Sequence, residues 1–182
     1  MNLTLIRHAR RAVGVIGLAL FVVLVGFSLF TNLAPLTGRE LFIIAGGSME
    51  PAIPIGSLVI VTPADTRTIA IGDVVTIRAD NGVVVTHRVS GVVDLPDGRS
   101  FELKGDANQS ADGGLVPSRA IVGAADRFIP YAGYARAFLS TVPGLIATFA
   151  LLVALILLYL LLGLVAPAVT NALAEQREPA GP

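Results

Sequence analysis

Two side chains in the middle of this sequence have the chemistry of a nucleophile and its base. Ser48 lies in the stretch GGSMEP, where two glycines and a proline allow a tight turn that exposes the hydroxyl. A serine hydroxyl is a weak nucleophile until a neighbouring group takes its proton. His87, in the stretch VVVTHRV, is the one histidine between residues 31 and 141. The pair therefore indicates hydrolytic chemistry through an activated serine.

Each of these residues also has a structural interpretation. Ser48 could belong to a polar turn, and an imidazole on a strand face shared with valines is often structural. The stretch KGDANQSADGG adds two carboxylates, Asp106 and Asp112. Either could orient an imidazole and stabilise its charged form, as the acid of a Ser-His-Asp triad does. The residues alone leave both aspartates open as the partner of His87.

Two other types of site are weaker alternatives. Lys104 could act as the base of a Ser-Lys dyad, but it lacks the apolar strand setting that would lower its pKa. Four residues alternate like the start of a calcium-binding loop: Asp106, Asn108, Ser110 and Asp112. Ala111 replaces the glycine that such a loop needs, and Pro117 replaces the glutamate. We expect no bound metal and no cofactor.

The elements that must position these residues include two membrane-spanning runs. The chain of 182 residues is 54% hydrophobic and 14% charged, with a mean hydropathy of +0.77, whereas soluble domains are about 25% charged. Residues 12–30 and 142–165 are uncharged, and each run has about the length that a transmembrane helix needs. We therefore predict two transmembrane helices.

Arg7, Arg10 and Arg11 precede the first run, and by the positive-inside rule they place the N-terminus in the cytoplasm. The run is longer than the apolar core of a cleaved signal peptide, about 7–15 residues, so we interpret it as a signal anchor. The predicted organisation is a cytoplasmic N-terminus (1–11), a first span (12–30), an extracytoplasmic catalytic domain (31–141), a second span (142–165) and a cytoplasmic tail (166–182). The predicted location is the cell membrane.

The extracytoplasmic domain has the sequence pattern of β structure. Runs rich in β-branched residues occupy 57–63, 73–79, 83–93 and 100–105, and the turns ADNG and LPDG separate some of them. No segment of useful length has helical periodicity. The predicted fold is a mainly β protein with a small antiparallel, partly barrel-like β-domain between two transmembrane helices. The domain carries 9 basic and 11 acidic residues, so we expect no nucleic-acid partner.

Several stretches together resemble the signal peptidase I family, in its endoplasmic-reticulum-like branch found in archaea, some Gram-positive bacteria and eukaryotes. These stretches are GGSMEPAIPIGSLVIV, GDVVTIR, VVTHRV and LKGDANQSADGGLVPSRAIVGAADRFIPYAG, and they cover about residues 43–133. In that branch histidine replaces the catalytic lysine of ordinary bacterial enzymes. The resemblance implies Ser48 as nucleophile, His87 as general base and Asp112 as the family acid. We therefore expect Asp112 to be the partner of His87, with Asp106 of the Gly-Asp turn as the second choice.

The resemblance also implies a function: removal of signal peptides from secreted preproteins at the surface of the lipid bilayer, with the secretion translocon as a further candidate partner. Many bacterial relatives have a serine two positions before the nucleophile as an oxyanion donor, but here that residue is Gly46, so a backbone N–H is the expected donor. Candidates for shallow pockets that accept small residues are Ile43, Ile44, Ile53, Ile55 and Val84. The alternative is a catalytically idle, membrane-anchored β-domain that binds a partner or assists assembly.

Overall fold

The computed structural model describes residues 3–79 and 81–175. The chain forms two compact units, one built from Met1–Leu29 with Leu139–Pro182 and the other from Phe30–Phe138. The described part contains three α-helices, which are α1 (Leu3–Leu33), α2 (Ala132–Leu139) and α3 (Val142–Glu175). The first unit therefore joins the two ends of the chain, and the second contains the residues that could do chemistry.

The two long helices have the composition of membrane spans. The segment Thr4–Thr37 is long and apolar enough to cross a bilayer; it comprises most of α1, which ends at Leu33, and the short 3₁₀ helix Ala34–Thr37. The segment Val142–Val165 of α3 passes the same test. Both predicted runs thus fold as helices, and α1 begins well before residue 12. The predicted tail, residues 166–182, lies partly outside the described residues, as does the start of the predicted N-terminal segment.

The second unit is a curled antiparallel half-barrel of seven strands, which confirms the predicted fold class. The strands are β1 (Glu40–Ile43), β2 (Leu58–Thr62), β3 (Val74–Arg78), β4 (Val84–Leu95), β5 (Gly98–Lys104), β6 (Val116–Pro117) and β7 (Ile121–Ile129). Their order across the sheet is β1-β2-β7-β3-β4-β5-β6, and every neighbouring pair is antiparallel. The four predicted runs correspond to β2, β3, β4 and β5.

The two predicted hairpins are present, with β4 pairing with β3 on one side and β5 on the other. The β4–β5 register pairs Leu95 with Gly98, so Pro96 and Asp97 form the two-residue loop and Gly98 begins the next strand. Gly98 has a φ of 128°, a backbone conformation that favours glycine. The Asp-Gly dipeptide thus marks the end of this turn rather than its centre.

The pattern of β-branched runs missed three strands and one helix. β1 and β6 are very short, and β7 has two alanines and a glycine where an alternating strand would carry larger residues. The expectation of no helix in this region is wrong for α2, which has eight residues. The central position of β7, between β2 and β3, shows that its neighbours rather than its own side chains select the extended conformation.

Two clusters of buried side chains hold the β unit together. One contains Ile69, Val75, Ile77, Val89, Phe101 and Leu103. The other contains Ile44, Met49, Ile53, Val59 and Val61. Burial of a side chain of this size stabilises the folded state by about 1.5–3 kcal/mol. The first cluster fixes β3, β4 and β5, while the second packs the segment around Met49 against β2.

Candidate catalytic site

The turn that carries Ser48 is anchored by its neighbours in the sequence. Gly47–Met49 form a short 3₁₀ helix, and the Met49 side chain is buried in the second core cluster. The Ile53 N–H donates to the Met49 carbonyl at 2.8 Å, and the Ala107 N–H donates to the Ser48 carbonyl at 2.8 Å. The backbone of Ser48 is therefore held from both sides, by the core and by the loop that follows β5.

Gly105 lets that loop approach the serine closely. A Cβ at this position would lie 2.6 Å from the Ser48 carbonyl oxygen and 2.9 Å from the Ser48 Cβ. These separations are shorter than van der Waals contact, so only glycine fits without a backbone shift. Sequence reasoning treated this residue as part of a turn and missed its role, because the close neighbour is 57 positions away in the chain.

His87 lies near the start of β4, where it pairs with Val75 of β3. The residue is 7% exposed, and its Nε2 is 2.9 Å from the Ser48 Oγ. The two side chains predicted to act together are thus in hydrogen-bond contact. The flanking strand residues Val85 and Val89 both pack in or against the first core cluster, which gives the imidazole an apolar setting on a rigid strand.

Asp112 contacts the other nitrogen of the same imidazole. Its Oδ2 lies 2.5 Å from His87 Nδ1, and the side chain is 30% exposed. The Asp112 N–H donates to the Leu103 carbonyl at 2.8 Å, which ties this part of the loop back to β5. The carboxylate is therefore positioned by a main-chain contact as well as by the histidine.

Asp106 has a different partner, the arginine next to the histidine. The Arg88 guanidinium donates to both carboxylate oxygens of Asp106, at 2.8 and 2.7 Å, and to the Gly72 carbonyl at 2.8 Å. The hydrogen bonds from Arg88 lower the pKa of Asp106, and the same contact raises the pKa of Arg88. Of the two predicted carboxylates, the structure brings Asp112 to the imidazole and Asp106 to Arg88.

Lys104 lies on a different side of the strands from the imidazole. Its register partner on β4 is Arg88, and successive side chains of a strand point to opposite faces, so Lys104 shares a face with Arg88 and not with His87. It lines a cavity of about 250 Å³ with Arg88, Ser90 and Asp106. This placement does not favour a Ser-Lys dyad.

The five apolar pocket candidates separate into two groups. Ile44 and Ile53 are 8% and 4% exposed and belong to the second core cluster, so they are poorly placed to contact a substrate. Ile43 and Ile55 are 39% and 36% exposed, and Val84 is half-buried. Ile55 is the best placed, because its Cδ1 lies 3.5 Å from where a Cβ on Gly47 would stand, beside the serine.

The arrangement is able to activate a hydroxyl. With the imidazole neutral and its proton on Nδ1, Nδ1–H donates to the Asp112 carboxylate and the Ser48 hydroxyl donates to Nε2. The imidazole can then take the serine proton while the carboxylate stabilises the resulting cation. Among residues 3–79 and 81–175, no three His, Cys, Asp or Glu side chains come together in a way that could hold a metal ion.

The chain is similar in sequence to several known proteins, although no protein-family model matches it. It is 38% identical over 80 residues to signal peptidase I W of Bacillus subtilis, covering 43% of this chain and 42% of that protein. It is 30% identical over 126 residues to the human signal peptidase complex catalytic subunit SEC11C, covering 63% of this chain and 66% of that protein. It is 29% identical over 125 residues to the human putative signal peptidase complex catalytic subunit SEC11B, covering 63% of this chain and 75% of that protein. The chain thus spans less than two thirds of the first two relatives, and over the matched residues it is similar to signal peptidase I and to SEC11 catalytic subunits.

Proposed function

We propose that this protein is a membrane-anchored serine endopeptidase that removes N-terminal signal peptides from secreted preproteins. The single observation that carries the proposal is the continuous contact from Ser48 Oγ through the His87 imidazole to the Asp112 carboxylate. The names of the relatives supply the substrate class, since they are signal peptidase I and signal peptidase complex catalytic subunits.

In the proposed mechanism, the Ser48 Oγ attacks the scissile carbonyl carbon while His87 Nε2 takes the hydroxyl proton. The tetrahedral intermediate collapses when the C–N bond breaks, and His87 returns the proton to the leaving amine. Water, deprotonated by the same imidazole, then hydrolyses the acyl-enzyme and frees Ser48. Asp112 touches none of the reacting atoms in this scheme, but it holds the imidazole in the tautomer that accepts at Nε2.

The oxyanion must be stabilised by donors other than a serine at position 46. Gly46 has extended backbone geometry, and a Cβ there would meet nothing within 4 Å. The Ser48 N–H lies in the first turn of the short 3₁₀ helix, where a backbone donor has no partner within the helix. We therefore assign the oxyanion to this N–H, which needs no side chain from Gly46.

The proposed location follows from α1 and α3. We place both helices across the cell membrane, with residues 31–141 on the extracytoplasmic side and both chain ends in the cytoplasm. Only 17 residues separate Phe30 from Ser48, so the nucleophile stays within reach of the bilayer surface where a signal peptide ends. A preprotein delivered by the secretion translocon would present its cleavage site there.

The test is cleavage of a preprotein by the purified full chain in detergent or in vesicles, with the cut site read by mass spectrometry. Wild type should cut after the signal peptide, and Ser48→Ala or His87→Ala should each lower kcat/KM by about 10⁴–10⁶-fold, because the two act as one unit. Ser90→Ala is the matched control, since its hydroxyl bonds to Glu102 outside the site. Wild-type protein that folds but does not cut would support the idle β-domain, and a Ser48→Ala variant that cuts normally would refute the nucleophile.

A further inference from the structure

Three arginines share one face at the start of α1. Arg7, Arg10 and Arg11 stand at positions i, i+3 and i+4 of this helix, a spacing that brings side chains together. All three line one cavity of about 610 Å³, with Gly14, Val15 and Tyr159 completing its lining. The cavity therefore combines residues of α1 with a tyrosine of α3, within one compact unit of the chain.

Arg10 is the least exposed of the three. Its guanidinium carbon lies 4.5 Å from the centre of the Tyr159 ring, which is within the range of a cation–π contact. A Cβ on Gly163 would lie 2.9 Å from the same carbon, so this glycine makes room for the guanidinium against α3. The Arg10 Nε is buried and has no hydrogen-bond partner.

Among the described residues, the arginines of this cavity form no ion pair. The sequence has no Asp or Glu in residues 1–39 or 142–174. A buried guanidinium N–H without an acceptor is costly. An anion from outside the chain would relieve that cost and offset part of the charge.

An apolar groove continues from the same place. A second cavity of about 470 Å³ shares Gly14 and Tyr159 with the first, and the rest of its lining is apolar, including Leu18, Phe21 and Leu155. A free phosphate would use only the arginines. A molecule with an anionic head and a hydrocarbon tail would use both cavities.

We propose that this paired cavity binds an anionic phospholipid, with its phosphate on Arg7, Arg10 and Arg11 and one acyl chain along the groove. Guanidinium groups hold phosphate oxygens through paired hydrogen bonds, and basic pockets between membrane helices bind phospholipid head groups. The inference rests on α1 and α3 entering a bilayer. It is independent of the peptidase chemistry, so either can fail alone.

The test is native mass spectrometry of the full chain released from detergent, with phosphatidylglycerol or phosphatidylcholine added at equal concentration. Wild type should retain phosphatidylglycerol about tenfold more, and Arg10→Gln should remove that preference through loss of charged hydrogen bonds. Arg10→Lys should retain an intermediate amount of phosphatidylglycerol, because lysine keeps the charge but loses the paired hydrogen bonds of the planar guanidinium. Arg39→Gln, which removes an exposed arginine of the β unit, should leave retention unchanged.

Two further measurements distinguish binding of the lipid head group from binding of its acyl chain. Gly17→Leu should fill the groove beside Leu155, since the Cβ would already lie 3.9 Å from the Leu155 Cβ, and should reduce phosphatidylglycerol retention. Thermal unfolding of each variant in detergent checks that it is folded. Equal retention of both lipids by wild type would overturn the proposal, as would an Arg10→Gln variant that behaves like Arg39→Gln. If inorganic phosphate raises the unfolding midpoint as much as phosphatidylglycerol does, the lipid assignment is wrong.

Discussion

Two neighbouring residues of β4 each hold a carboxylate from the same loop, and the two pairs differ in what lies beyond them. His87 contacts Asp112 and, through its other nitrogen, the Ser48 hydroxyl. Arg88 contacts Asp106 and, through its other amino group, the Gly72 carbonyl. The first pair ends on the Ser48 hydroxyl and the second on the backbone of another loop.

The difference shows that the partner of a carboxylate decides its role. An imidazole can both accept and donate a proton, so the pair at His87 suits the proposed proton transfer. A guanidinium stays charged at every pH at which the protein is folded, so the pair at Arg88 suits a permanent tether. Asp106 and Asp112 are six positions apart in one loop, yet β4 turns consecutive side chains to opposite faces, so the two carboxylates meet different partners.

Among changes to the two carboxylate pairs and their loop, we expect Asp112→Asn to cause the largest loss of activity. The imidazole would lose its charged acceptor at Nδ1 and would more often present the wrong tautomer to Ser48, so kcat should fall by about 10²–10⁴-fold. Steady-state cleavage of a preprotein measures this, and the thermal unfolding midpoint should change little. An Asp112→Asn enzyme with near-normal kcat would mean that the 2.5 Å contact has no catalytic role.

Gly105→Ala should disturb the connection between the two carboxylates and the serine. The new methyl group would overlap the Ser48 carbonyl and Cβ, and a displacement of about 1 Å at a nucleophile can cost about 100-fold in rate. Gly113→Ala is the matched control in the same loop, because a Cβ there meets nothing within 4 Å. Equal kcat/KM in the two variants would contradict the proposed close packing.

Asp106→Asn should act on stability rather than on rate. Losing the carboxylate would weaken two charged hydrogen bonds from Arg88, and the free energy of unfolding should fall by about 1–3 kcal/mol, while kcat changes by a few-fold at most. The comparison is Asp65→Asn, since Asp65 pairs with Arg67 at an exposed site where ion pairs contribute little. A large loss of kcat at unchanged stability would reverse the roles of the two aspartates.

The stability effect of Asp106 should also depend on pH. The pKa of Asp106 is lowered from its ordinary 3.8 by the hydrogen bonds from Arg88. Its contribution is therefore complete above the unfolded value and is lost as pH falls through the lowered folded value. The difference in unfolding midpoint between wild type and Asp106→Asn should be largest near neutrality and shrink below about pH 4. A difference that grows on acidification would contradict the ion pair.

The smallest expected effect is that of Lys104→Met, which tests the lysine alternative. Because Lys104 shares a face with Arg88 and not with His87, kcat/KM should stay within about twofold of wild type, the ordinary range for a residue outside the reacting groups. His87→Lys, by contrast, should leave the enzyme inactive in a site shaped for an imidazole. An inactive Lys104→Met enzyme alongside an active His87→Ala enzyme would identify a Ser-Lys dyad.

Local patterns in the sequence were enough to predict the two apolar helices and strands β2, β3, β4 and β5. Each of these elements is marked by its own local composition: the helices by uncharged apolar runs, and the strands by β-branched residues bounded by turns. The choice of His87 was also possible from the sequence, because it is the one histidine between residues 31 and 141. Ser48 could be selected among the seven serines of that region by its setting in the stretch GGSMEP. These conclusions needed only information that neighbouring residues carry.

The tertiary structure decided the features that depend on distant contacts. β1, β6 and β7 are extended because their partners are, and Ile44 and Ile53 are buried because the segment around Met49 folds onto β2. In the sequence Gly105 has the setting of an ordinary turn glycine, and only the folded structure shows its close contact with Ser48. The sequence placed two carboxylates near the histidine, but only the path of the loop after β5, tied by Asp112 to Leu103 and by Ala107 to Ser48, determined that Asp112 meets the imidazole and Asp106 meets Arg88.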